Sequence, residues 1–162
     1  MSEMTVGRQA VGLIVCVRVV FAAAGLGGLF TKEAVSDWYR DLAKPWGTPP
    51  DWVFGPVWTA LYILMAAAAW LVWRKHGFGA QGPALGLFLV QLALNAAWSP
   101  IFFGLGAFGW AFVEICVLWA AILATMIVFT RASALAGCMM LPYILWVTWA
   151  ARLNFWIWRL NR

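Results

Sequence analysis

Residues 82–103 read GPALGLFLVQLALNAAWSPIFF, with no charged side chain. Crossing the hydrocarbon of a bilayer takes about 20 mostly apolar residues, which this run supplies. Lipid tolerates no unsatisfied backbone polar groups, so such a run must be helical. It is too long for a barrel strand and does not alternate apolar with polar. At about 100° per residue, Gly86, Val90, Ala93 and Ala97 fall on one narrow stripe, and Gln91, Asn95 and Trp98 on roughly the opposite one. Small residues let helix backbones approach closely in lipid. Amides on the other stripe need partners inside protein or a wet cavity. The helix is therefore expected to pack tightly on one side and to line a pocket on the other. The tight partner is either another helix of the chain or a second subunit; a homodimer through Gly86, Val90, Ala93 and Ala97 is the expectation.

The composition agrees. Of 162 residues, 65% are hydrophobic and only 10% charged, and the mean hydropathy is +0.85. Soluble domains are about half apolar and a quarter charged. The length suits one domain, residues 1–162. The net charge of +5 is dispersed, without a Lys/Arg run. That argues against nucleic acid as a partner and fits anionic lipid headgroups. Cys16, Cys116 and Cys138 have neither pairing nor metal spacing and read as reduced residues. One histidine, His76 in the basic turn RKHG, makes no metal site, and a solvated loop residue is expected. Arg8, an apolar run and Ala22–Ala24 resemble a signal peptide, but Arg18 interrupts the run; an uncleaved first span is expected.

Five spans emerge, over residues 11–30, 52–73, 84–103, 108–129 and 134–158. The fold class is thus an all-α integral membrane bundle. RKHGFGAQGP, GLGA and TRAS are short links between antiparallel neighbours. Only the connection over residues 31–51 is long, and long ordered loops tend to be functional. Pro49 and Pro50 suit its end, because proline starts helices and disfavours helix before it. Pro56 is expected to disturb the next helix above Trp58. Lys and Arg are spread over both ends, so the positive-inside rule assigns no orientation.

Trp58, Tyr62 and Met65 share a face of the second span. Tyr143, Trp146, Ala150 and Asn154 share one of the fifth. Helix direction brings these faces and the Gln91–Asn95–Trp98 stripe together toward the long loop. Rings with a few amides and hydroxyls suit a flat, largely apolar ligand. Trp70, Trp73, Trp110, Trp156 and Trp158 lie near span ends and read as an interfacial belt. Arg18, Glu114 and Arg152 fall inside spans, where charge is costly. Structural ion pairing is expected, with Arg152 near enough to its helix end to snorkel.

No phosphate loop, activated nucleophile or metal motif is present. The ordered stretches WYRDLAKPWGTPPDWVFGPVWTALYILM, LGLFLVQLALNAAWSPIFFG and LPYILWVTWAARLNFWIWRLN together resemble the TspO family of tryptophan-rich sensory and translocator proteins. The resemblance runs from about residue 27 to 161 and implies a five-helix bundle, commonly dimeric. It implies a pocket beneath the first loop for porphyrins, sterols and benzodiazepine-site ligands, made here by Trp38, Tyr39, Trp46, Trp58, Tyr62, Gln91, Asn95, Trp98, Trp146 and Ala150. The family's C-terminal sterol pattern is met by Leu153 and Arg159, but Phe155 stands where the pattern has tyrosine. The resemblance implies sensing or transport of tetrapyrroles (porphyrin or haem as ligand) with no required cofactor, in a bacterial membrane. Porphyrin degradation in light and oxygen is the enzymatic alternative, with Trp58 and Trp146 as its candidates. Tryptophan faces would stack on the macrocycle while Lys32, Arg40 or Lys44 met its carboxylates. Trp38, Tyr39 and Trp46 would then close the cavity as a lid stiffened by proline.

Overall fold

A computed structural model describes residues 5–36 and 38–162, without the side chains of residues 32–36, 76 and 78. Among the described residues there is no strand, and five helices are long and apolar enough to cross a membrane. We label them α1 (Val6–Ser36) and, by their candidate spans, α2 (Asp51–Lys75), α3 (Gly79–Gly104), α4 (Phe108–Ala132) and α5 (Ala134–Leu160).

Several boundaries differ from expectation for identifiable reasons. Helix α1 runs on to Ser36, so the long connection starts later, and its first element is a 3-10 turn over Trp38–Asp41. The basic stretch between α2 and α3 is helical apart from Gly77, whose φ of 70° and ψ of −170° turn the chain sharply. Glycine enters that region without the steric cost a Cβ would bring. Pro56 does not break α2: Gly77 is the one residue with non-helical φ/ψ between Asp51 and Ser99. A proline's fixed φ is itself helical, and near a helix start it forfeits little more than one hydrogen bond. Pro100 has a larger effect, because α3 ends there in a π-helical turn over Pro100–Gly104. Helix α5 is interrupted at Met140, two residues before Pro142, which cannot donate to the preceding turn.

The core runs along the bundle axis. Val20 of α1, Met65 and Val72 of α2, Ile122 and Phe129 of α4, and Met140 and Tyr143 of α5 have no exposed surface. Phe88 of α3 stacks on Phe129 at 5.6 Å. The outer faces are apolar too: Ile14 and Leu26 of α1, Val90 of α3 and Val117 of α4 are all more than half exposed. That is the pattern of a protein whose outer solvent is lipid. Gly86, Val90, Ala93 and Ala97 all lie on this exposed face.

Candidate functional site

The helices part beneath the first loop around a cavity of about 600 Å³. This lies within the 300–1,000 Å³ typical of small-molecule pockets. Helix α2 contributes Phe54, Trp58 and Tyr62; α3 contributes Asn95, Trp98 and Ser99; α5 contributes Trp146, Ala150 and Leu153. Gly27 and Gly28 of α1 and Ile115 and Leu118 of α4 complete the wall.

Its inner end is a hydrogen-bonded relay. The Tyr62 hydroxyl donates to Asn95 Oδ1 at 2.9 Å, and Asn95 Nδ2 donates to the Tyr143 hydroxyl at 3.0 Å. Each polar group there has a partner, which burial demands. The Trp58 ring stacks on Tyr62 at 5.3 Å and meets Tyr143 edge-on at 6.2 Å. Trp146 meets Phe54 edge-on at 5.9 Å. The Trp98 indole is fixed by donating to Asn154 Oδ1 at 3.1 Å, while Asn154 Nδ2 holds the Phe108 carbonyl at 2.9 Å. The rings are therefore held by packing and hydrogen bonds, not left to rotate.

The 3-10 turn of the loop forms the roof. Tyr39 packs edge-on against Phe103 at 5.5 Å and Phe102 at 6.4 Å, on the π-helical end of α3. Trp38 lies one layer outside, against Phe103 and Phe108. The Lys44 ammonium sits 4.3 Å over the Tyr39 ring, a cation–π contact. Burial, and then the Asp51 carboxylate, push the Tyr39 phenol up to about 12. Further along, Asn161 clamps the loop: its side chain accepts from the Ala43 N–H and donates to the Ala43 carbonyl, both at 3.0 Å. Gly47, with φ of 85°, brings the chain against the Trp149 ring, where a Cβ would lie 3.3 Å away. Arg40 and Asp51 put one charge of each sign at the rim.

The cavity brings together Tyr39, Trp58, Tyr62, Asn95, Trp98, Trp146 and Ala150. It does not include the other expected residues. Trp46, expected as a lid, is 89% exposed and does not line the cavity. Gln91 is fully buried one turn below Asn95, with neither amide atom hydrogen-bonded, and does not reach the cavity wall. Leu153 faces the cavity while Phe155 packs outward on Phe112 at 5.3 Å, so the three sterol-pattern residues do not share a face; Arg159 is exposed. Among the described residues the expected ion pairs are not formed. Both Glu114 oxygens are buried without a partner, and Arg152 lies over the Trp149 ring at 4.8 Å. The side chains of Lys32 and His76 lie outside the described residues.

Phe102 and Phe103 are cavity residues that helical phase did not reveal. The π-turn at Pro100 changes the angle per residue, so counting at 100° fails beyond it. Phe54 and Leu153 could have been found: each lies four residues before or three after a residue already assigned to the pocket, Trp58 and Ala150.

A five-helix integral membrane bundle enclosing an aromatic, loop-roofed cavity is the class of protein that fold and site define. Residues 14–159 match the TspO/MBR family, and the chain belongs to it. It is 39% identical to the tryptophan-rich protein TspO of Chlorobaculum tepidum, over 95% of this chain and 98% of that one. It is 42% identical to the tryptophan-rich sensory protein of Cereibacter sphaeroides, covering 86% of this chain and 85% of the relative. It is also 42% identical to the human translocator protein, covering 84% and 82% of the two chains.

Proposed function

We propose that the chain is a membrane-embedded binding protein, acting as sensor or carrier, for tetrapyrroles and similarly flat apolar molecules. The observation that carries this is the ring-lined cavity of about 600 Å³ under the first loop. Trp58, Trp98 and Trp146 offer faces for a planar macrocycle, and Arg40 offers a guanidinium for a carboxylate at its edge. The names of relatives, a sensory protein and a translocator, suit such a role. Bacterial relatives of high coverage support a bacterial source. The exposed stripe of Gly86, Val90, Ala93 and Ala97 supports a homodimer, because small residues let two such helices meet closely. Titrating protoporphyrin against tryptophan fluorescence should give saturable quenching, weakened in Trp58→Phe and Trp146→Phe. Unchanged affinity in both variants would remove the pocket assignment.

A second reading has its own observation. Trp58 stacks on Tyr62, which leads by hydrogen bonds through Asn95 to Tyr143. Such a chain of oxidisable rings suits porphyrin degradation in light and oxygen. Illuminated protoporphyrin should then lose its absorbance band and yield a new product with wild type but not with the tryptophan variants.

A further inference from the structure

On the outer surface, α4 and α5 leave a groove of about 400 Å³. Phe112, Cys116 and Trp119 form one wall, and Thr148, Arg152 and Phe155 the other. Its base is closed by the Trp119 indole donating to the Thr148 hydroxyl at 2.8 Å and by the Phe112–Phe155 contact. The same two helices face the cavity with other residues, Ile115 and Leu118 from α4 and Ala150 and Leu153 from α5. Groove and cavity are thus separate pockets on opposite sides of one helix pair.

Arg152 sets the chemistry of the groove. It is exposed, and its one side-chain partner among the described residues is the Trp149 ring. Glu114, the acid of α4, does not meet it. A guanidinium on the outer face of a membrane bundle needs an anion, and the described residues supply none there. The neighbouring solvent is lipid. A phosphate diester matches the planar guanidinium fork, and an acyl chain matches an apolar slot walled by rings. Arg159 lies two turns further along α5, and Arg162 lies 4.2 Å over the Trp158 ring. This end of α5 therefore favours a lipid of net negative charge.

We infer that the α4–α5 groove is a docking site for an anionic glycerophospholipid of the surrounding bilayer, its phosphate on Arg152, its glycerol end flanked by Phe112 and Phe155, and an acyl chain running inward along Trp119 and Thr148. The inference does not depend on what the cavity binds. Native mass spectrometry of the full chain in mild detergent, titrated with dioleoylphosphatidylglycerol or dioleoylphosphatidylcholine, tests it. One phosphatidylglycerol should be retained with a preference of about tenfold over phosphatidylcholine. Arg152→Gln should remove most of the preference, and Arg152→Lys, which keeps the charge and loses the fork, should keep only part of it. Ala151→Trp, which fills the groove with the guanidinium intact, should release the lipid. Equal retention of the two lipids, or an unaltered preference in Arg152→Gln, would overturn the inference. So would displacement of phosphatidylglycerol by cholesterol, which would make the groove a sterol site. Protoporphyrin should not compete, so a cavity that binds no porphyrin leaves this outcome unaffected.

Discussion

The two ends of the bundle are built differently from the same helices. Away from the first loop, contacts run through small residues: Ala66, Ala68 and Ala69 of α2 and Ala136 of α5 are each at most 2% exposed. Phe88 and Phe129 fill the remaining space by stacking. Toward the loop, the contact positions carry Trp58, Trp98 and Trp146, and the helices stand around a void. Alanine contacts hold backbones close, whereas rings anchored to side-chain partners hold them apart. Residue size along each helix thus decides where the molecule is solid and where it is hollow.

The largest expected effect lies in the solid end. Phe129→Ala should lower stability by about 3–5 kcal/mol, because a fully buried ring leaves a cavity that cannot collapse. Thermal unfolding in detergent measures it; a loss as small as that of an exposed residue would mean that this end is not close-packed. A matched pair sharpens the comparison. Ala69→Leu should overpack the α2 contact and cost about 1–3 kcal/mol, whereas Ala150→Leu should be nearly neutral in stability because its side chain enters the void. Equal costs in the two variants would contradict the contrast between the ends.

The roof gives a smaller, pH-dependent signal. A free phenol ionises near 10, and Tyr39 is held up to about 12 by burial and then by Asp51. Below pH 10 the phenol is protonated whether folded or unfolded, so it makes no pH-dependent contribution. Between 10 and about 12 the unfolded chain releases the proton and the folded one does not, so stability falls as pH rises. Absorbance of phenolate in wild type minus Tyr39→Phe should show this late titration. A difference spectrum titrating near 10 would mean that the roof is open.

Much of this was legible in the sequence, and the failures are local. Hydropathy found the five spans, although α1 runs from Val6 to Ser36 against the expected 11–30 and α3 starts at Gly79 against 84, and phase found Trp58, Tyr62, Asn95, Trp98 and Trp146 as cavity residues because those helix segments are regular. Phase also put Gln91 in the pocket, since it shares the Asn95 stripe; depth along the axis, not angle, excludes it. Trp46 was named from the resemblance and not from periodicity, and in the structure it is exposed and outside the cavity lining. Glu114 and the arginines were expected to pair on cost alone, and charge balance gives no distances. The second groove had no signal, because Thr148, Arg152 and Phe155 look like an ordinary lipid-facing stripe until α4 is placed beside them.

The central claim is that the void, and not the general aromatic character of the chain, is what binds. Ala150→Trp fills the void from α5 without removing any ring or amide. Equilibrium titration with protoporphyrin should show affinity reduced by at least about tenfold in Ala150→Trp, the scale on which displaced pocket contacts act, with the fold intact by circular dichroism. Wild-type affinity in the folded variant would contradict the account.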